Sequence, residues 1–252
     1  MISFASQTQS AIDFAADLFC QAKHAVSLTG AGLSTPSGIP DFRSTGTGLW
    51  SRDEPLEVAS LSTFRTAPER FFQWFRPLAS QIYYAQPNPA HLALAGLEKA
   101  GRVRSIITQN IDNLHERAGS TDILHLHGEL TKARSTSDPS LIYDIGYKDM
   151  LKGDKCEKGS QLRPHIVWFG EAVPMMDEAV RIASEADIFA VIGSSLNVYP
   201  AAGLIQYAPS HASLWLIDPN DVDVPVSRHV EVIKEAASKG VAVLAERLLA
   251  GI

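Results

Sequence analysis

Short apolar runs alternate along this chain with longer amphipathic stretches. Residues 25–28, 103–108, 123–126, 188–192, 214–217 and 230–233 are mostly short, continuous and rich in Ile, Val and Leu, the composition of strands covered by helices on both faces. Between them the apolar positions recur with a helical period. In 10–22, Ile12, Phe14, Ala15, Leu18 and Phe19 favour one side, and 90–100, 177–185, 201–207 and 241–249 also read as helices. This alternation predicts an α/β fold built on a doubly wound parallel sheet with helices on both faces.

Two regions break the alternation. Residues 45–84 hold a Gly-containing loop and then helices with an aromatic face of Phe64, Phe71, Phe72, Trp74 and Phe75, read as core. Residues 130–164 are polar, with no long periodic element. Long irregular stretches inside a compact domain are usually functional or form a subdomain. The two inserts, 45–84 and 130–164, are therefore expected to form a smaller domain. Residues 1–44, 85–129 and 165–252 then form the sheet domain, with a cleft between the two.

Composition narrows the function. The chain has 252 residues, 45% of them hydrophobic, and a formal net charge of -6 with both signs interspersed; no basic patch for nucleic acid is expected. The two cysteines, Cys20 and Cys156, are far apart, which suits reduced thiols in a cytoplasmic protein. The polar N-terminus lacks a secretory pattern, and no apolar run approaches the length of a membrane span.

The chemistry concentrates where strands end. After 25–28 comes Gly30-Ala31-Gly32-Leu33-Ser34, small residues of the kind that let a helix N-terminus approach a pyrophosphate through backbone N–H groups. Thr35 stands where a dinucleotide fingerprint has its third glycine, and Gly-x-Gly alone also marks ordinary strand-to-helix turns. Four more polar clusters follow strands: Thr108 to Asp112, His125 to Glu129, Gly193 to Ser195, and Asp218 to Asn220. Each alone could be turn chemistry, but together they converge on the edge of the sheet where ligands bind.

With these residues in hand, the chain resembles the sirtuins, the Sir2 family of NAD-dependent protein-lysine deacylases, in a bacterial-type form. Gly-Ala-Gly-Leu-Ser at 30–34, Gly-Ile-Pro-Asp-Phe-Arg at 38–43, Thr-Gln-Asn-Ile-Asp-Asn-Leu-His at 108–115, His-Gly-Glu at 127–129 and Leu-Arg-Pro-His-Ile-Val-Trp-Phe-Gly-Glu at 162–171 carry the resemblance. It implies a Rossmann-like domain with a smaller inserted one, and a reaction giving nicotinamide, free lysine and O-acyl-ADP-ribose. It also implies roles. Gly30, Ala31, Gly32 and Ser34 would hold the pyrophosphate, with Asp41, Phe42 and Arg43 as cofactor loop. Gln109, Asn110, Ile111 and Asp112 would line the nicotinamide and ribose pocket, Asn110 and Asp112 orienting the carboxamide. Gly193, Ser194, Ser195 and Asp218 would face phosphate and ribose, and Gly240 and Val241 the adenine. His127 would be the general base, a task suited to the pKa of imidazole. Val167, Phe169 and Gly170 would pair with an acyl-lysine peptide or protein as an added strand.

The chain also departs from that pattern. Most sirtuins carry two Cys-x-x-Cys pairs that close a zinc site; here 131–138 has no cysteine and Cys156 stands alone. No metal is expected, with Leu141, Ile142, Tyr143, Ile145, Tyr147 and Leu151 packing the module instead. His125 and His127 suggest a metal pair, but no third ligand is evident, and His125 is read as structural. At the place of the Tyr-x-x-Arg pair of desuccinylating members stand Gln73 and Arg76, with Ala59 at a pocket-widening position. The usual ribose-contacting Asn aligns with Leu216, leaving Asp218 or Asn220 to serve. The rival readings are a sirtuin-like ADP-ribosyltransferase or NAD glycohydrolase, and a non-catalytic NAD-sensing module. The sequence leaves acyl preference and oligomeric state open.

Overall fold

The computed structural model describes residues 4–41 and 55–250. In chain order it comprises α1 (Phe4–Gln21), β1 (Ala25–Thr29), α2 (Ala31–Ser34), α3 (Pro55–Val58), α4 (Leu61–Thr66), α5 (Pro68–Tyr84), α6 (Pro89–Lys99), β2 (Ser105–Thr108) and α7 (Leu114–Ala118). There follow β3 (Ile123–His125), β4 (Gly128–Ser135), β5 (Ile142–Asp144), β6 (Leu162–Ile166), α8 (Met176–Ser184), β7 (Ile188–Ile192), β8 (Ser213–Ile217), β9 (Glu231–Ile233) and α9 (Ala237–Leu249).

Six strands form one sheet in the order β3-β2-β1-β7-β8-β9, and every neighbouring pair is parallel. Side chains alternate between its two faces with period two. Ile188, Ala190 and Ile192 of β7, with Trp215 and Ile217 of β8, pack under α1, α6 and α9. Phe189, Val191, Leu214 and Leu216 pack on the other face, with α8 and the segment Ala201–Tyr207. The doubly wound sheet expected from the short apolar runs is present. The stretch 201–207 is a 3-10 helix rather than an α-helix. Val103 falls outside β2 because its N–H bonds Leu97 O in the turn leaving α6.

The region 130–164 holds more structure than its pattern suggests. β5, β4 and β6 make a three-stranded antiparallel sheet. The register shifts between Glu129 and Ala133, so the buried positions of β4 are Leu130, Ala133 and Ser135. A bulge breaks period two, and that is why the strand is silent in the sequence. Its sheet packs against the aromatic face of α4 and α5, where Phe64, Phe71, Phe72 and Phe75 are buried with Leu130, Ala133 and Ile166. Ile145 and Tyr147 join that core, whereas Ile142 and Leu151 are 46% and 47% exposed. The expected packing of those two is thus corrected. β5 is a short edge strand with only one covered face, and Met150 supplies the buried side chain instead.

Polar contacts hold the tip of this module. Ser135 Oγ lies 2.7 Å from Ser160 Oγ, which lies 3.1 Å from Cys156 Sγ. The backbone N–H groups of Ser137 and Asp138 donate to Ser135 Oγ, and Lys158 pairs with Asp138 at 2.7 Å. A single thiol in a hydrogen-bonded ring offers no tetrahedral thiolate set. Metal analysis of the purified protein should therefore find zinc well below one equivalent, and a chelator should leave the melting temperature unchanged.

A second polar cluster is buried inside the sheet domain. His91 and His115 are both fully buried with ring centroids 5.1 Å apart, and His115 Nε2 lies 3.1 Å from Thr29 Oγ1. Burial pushes the His91 imidazole down to about 4 and that of His115 well below its usual value. Both are neutral in the folded state, whereas unfolded histidine takes up a proton near 6.5. Stability should hold above that pH and fall below it, with His91 alone costing roughly 3 kcal/mol by pH 4. Urea unfolding at pH 7.5 and 5 would measure the loss, and His91→Gln should flatten its slope.

Candidate active site

The sheet reverses its direction of growth between β1 and β7, and the crevice at their C-terminal ends is where open α/β sheets take ligands. Here two backbone turns touch. Gly30 N–H donates to Ile192 O at 3.0 Å and Gly32 N–H to Gly193 O at 2.8 Å. A Cβ on Gly30 would stand 2.7 Å from Gly193 O, and one on Gly193 would stand 2.4 Å from Leu33 N. Gly193 also has φ +61°, in the left-handed region. The glycines are thus explained first by this contact. The N–H groups of Gly30 and Gly32 donate to these two carbonyls, and Ala31 lies between them on the cleft.

Four successive carbonyls fix the next wall. Thr108 O accepts from Leu126 N, Gln109 O from His127 Nδ1, Asn110 O from His125 Nδ1, and Ile111 O from Leu130 N, at 2.9 to 3.2 Å. Because a carbonyl only accepts, both imidazoles carry their proton on Nδ1. His127 therefore has no proton on Nε2 when neutral. Burial lowers its pKa, opposed by the bond to Gln109. Asn110 Nδ2 donates to Gly30 O at 3.0 Å and to Ser34 Oγ at 3.1 Å, and Ser34 Oγ donates to Asp112 Oδ2 at 2.9 Å. Burial raises the Asp112 carboxyl. Gln109 Nε2 donates to Ser194 Oγ at 2.9 Å, tying this loop to the turn after β7.

The facing wall is the segment after β6. Arg163, 4% exposed, grips Glu171 through two nitrogens at 2.5 and 2.9 Å and donates to Ile166 O at 3.0 Å. Its guanidinium lies 3.3 Å from the centre of the Trp168 ring, and Trp168 N–H donates to Glu171. Residues 166–171 are so held in a bent, extended run, with Val167 N–H on His127 O at 2.8 Å.

A cleft of about 1390 Å³ runs between these walls. Gly30, Ala31, Gly32, Asp41, Gln109, Asn110, Ile111, His127, Gly193, Ser194, Ser195 and Asp218 line it, as do Ala59, Gln73, Val167, Phe169 and Gly170. Five expected residues are not in its wall; one is Gly240, which is buried, where a Cβ would stand 2.8 Å from Ile217 Cγ2. Ser34 and Asp112 are buried behind it, at 1% and 3% exposure. Val241 is buried among the sheet core, because α9 begins at Ala237 rather than 241 and its first residues, Ala236 and Ala237, reach the cleft instead. Arg76 lines a separate pocket of about 180 Å³ with Tyr83, Tyr84 and Tyr147. α5 turns Gln73, Trp74, Pro77, Leu78 and Gln81 toward the cleft, so the i+3 spacing of Gln73 and Arg76 spans its edge.

Leu216 is buried in the core on the α8 side and does not line the cleft. Asp218, just past the end of β8, lines the cleft and accepts from Asn220 N and Nδ2. Phe42 and Arg43 lie outside the described residues. Ile166, Trp168 and Asn197 also line the cleft and were not singled out in the sequence, and Trp74, read there as core, reaches it too. A tryptophan between two motif residues and an apolar helix face look like ordinary core.

Comparison with known proteins agrees with this geometry. The Sir2 family profile matches residues 30–200. An NAD-dependent protein deacylase of Bacteroides thetaiotaomicron is 48% identical over 235 residues, covering 90% of this chain and 98% of its own. One from Helicobacter pylori is 46% identical over 215 residues, covering 85% and 93%. Among solved structures, a Sir2 homologue in complex with NAD has a TM-score of 0.85 at 36% identity, covering 94% and 93%. A Sir2–p53 peptide–NAD complex has 0.76 at 32%, covering 93% and 95%.

The backbone contact at the crevice can be tested on stability alone. Gly193→Ala places a methyl against Leu33 N, and overpacking with a strained backbone should cost about 2–4 kcal/mol. Denaturant unfolding of the variant checks this, with Gly203→Ala, whose added Cβ meets only a Tyr199 carbon at 3.9 Å, as the control.

Proposed function

The chain belongs to the Sir2 family, and from that premise we propose which of its residues carry the reaction. The protein is an NAD-dependent protein-lysine deacylase: it removes acyl groups from lysine side chains and yields nicotinamide, free lysine and O-acyl-ADP-ribose. Bound NAD supplies an ADP-ribose whose C1′ exchanges nicotinamide for the acyl oxygen. The Cβ-free backbone at Gly30, Gly32 and Gly193 and the volume of the cleft fit a dinucleotide beside an acyl-lysine.

The observation that carries the assignment is His127. Gln109 O holds the proton on Nδ1, so Nε2 is free to take one from a ribose hydroxyl. Burial keeps the ring neutral to lower pH than a free histidine, which places the acid limb of activity below the ordinary imidazole pKa. We assign nicotinamide positioning to Asn110 and Ile111. Asp112 acts behind them through Ser34, which it orients toward the Asn110 amide. Ala31, Asp41, Gln109, Ser194, Ser195 and Asp218 take the rest of the dinucleotide, and Phe42 and Arg43 complete the cofactor loop. Val167, Phe169 and Gly170 pair with the substrate peptide, on a segment that the Arg163–Glu171 pair holds in shape.

Residues 1–44, 85–129 and 165–252 bind NAD in this reading. Residues 45–84 and 130–164 are the smaller domain in this reading. Two free thiols, Cys20 and Cys156, support a cytoplasmic setting. Among the described residues no helix is long and apolar enough to cross a membrane.

The acyl end favours a short, uncharged group. Ala59, Gln73, Trp74, Pro77 and Leu78 bring no cation there, and Arg76 lines the other pocket. Mass spectrometry of acetyl- and succinyl-lysine peptides with and without NAD tests the whole reading. O-acetyl-ADP-ribose should form only with NAD, the acetyl peptide should react at least tenfold faster, and His127→Ala should abolish turnover. Nicotinamide release with neither peptide consumed would support the transferase or glycohydrolase instead.

A further inference from the structure

His125 takes no part in the chemistry above, yet it is bonded as closely as His127. Its side chain is 8% exposed, with Nδ1 3.2 Å from Asn110 O and Nε2 2.7 Å from Glu116 Oε1. Both neighbours are acceptors, so both ring nitrogens must donate and the ring is an imidazolium. The two histidines share one strand end and hold successive carbonyls of one loop. They do so in opposite protonation states, one neutral with a free nitrogen and one charged with none.

We propose that His125, locked as a cation by Glu116, is a positioning residue that holds Asn110 in place and sets the alkaline limit of the reaction. The inference rests on the deacylase reading for its activity arm only. If the ring loses one proton, a single N–H remains for two acceptors. Either Asn110 O or Glu116 is then left unpaired beside the buried Asp112. The groups facing the ring are Glu116 from α7, Glu129 from β4 with Lys132 bonded to it at 2.5 Å, and the Asp112 carboxyl, while the ring's charge acts on the nearby His115. Burial alone would lower the imidazole, but the Glu116 carboxylate holds it above its ordinary value. Glu116, His125 and Glu129 offer three ligand atoms within 4.8 Å of one another. The Lys132 ammonium already neutralises Glu129 there, and the geometry points to an ion-pair network rather than a metal centre.

Isosteres separate the two bonds. Asn carries its amide nitrogen near the Nδ1 position, Gln near Nε2. His125→Asn should keep KM for NAD within about threefold of wild type and lose the alkaline limb that His125 imposes. His125→Gln and His125→Ala should raise that KM roughly tenfold, the scale of one lost charged hydrogen bond. Glu116→Gln should shift the alkaline limb of kcat/KM to lower pH. Titration of the His125 ring by NMR should follow the same shift, and it needs no turnover. The proposal fails if Glu116→Gln moves neither the ring titration nor the limb, or if His125→Gln binds NAD as wild type does. It also fails if stoichiometric metal is found whose removal shifts the ring resonances. Wild-type protein with no deacylation but the expected ring titration would refute the activity reading and leave the ion pair standing.

Discussion

The catalytic edge depends on two turns of backbone meeting with no side chain between them. Gly30 and Gly32, leaving β1, bond directly to the end of β7 at Ile192 and Gly193, and a methyl on any of the three glycines would collide with main chain. Neighbouring parallel strands stand roughly 4.8 Å apart. Their exit turns can continue that spacing only if both are bare. The contact registers the two halves of the sheet at the point where ligands bind. Asn110 then reaches Gly30 O, and Gln109 reaches Ser194. Each side of the cleft is positioned by the other.

On that frame, the loop from 108 to 111 shows how a buried irregular segment is made affordable. Every one of its carbonyls has a donor, two from backbone and two from imidazoles, as buried polar groups require. The imidazole donors bring a choice that backbone does not, because their charge is set by what the second nitrogen meets. His127 meets the cleft and His125 meets a carboxylate. His115, below, meets the Thr29 hydroxyl and buried surroundings, and stays neutral. One residue type thus meets an open cleft, a carboxylate and a buried core in one region, and its charge follows its environment.

Much of this was legible beforehand. The parallel sheet followed from short apolar runs, and the edge where chemistry collects followed from polar clusters at their ends. The misses have local causes. β4 was silent because a bulge interrupts its alternation. The start of α9 was read four residues late because it opens with Ala237-Ser238-Lys239-Gly240, too small and polar to show a period. Arg76 and Leu216 were singled out by resemblance to the family's motifs, and a motif position does not say which face of a helix or strand the side chain takes. The His125–Glu116 bond joins residues on separate elements, and one sequence holds no trace of it.

What keeps residues 166–171 in shape beside a module whose tip has one thiol and several hydroxyls? Arg163 is held on both sides, by the Glu171 carboxylate and by the Trp168 face, and its Nη2 also donates to Ile166 O. Burial alone would raise the Glu171 carboxyl, but Arg163 and Arg134 keep it below the usual range. A buried pair of this kind gains little net stability against an apolar substitute, since desolvation offsets the attraction. Its value is geometric. A bidentate fork stacked on an indole has one arrangement, and it spans the run from 163 to 171. A metal at the module's tip would stiffen β4 and its neighbours from outside, whereas this clamp acts on the substrate segment itself. The cysteines can therefore be lost without loosening the edge, as long as Arg163, Trp168 and Glu171 stay together.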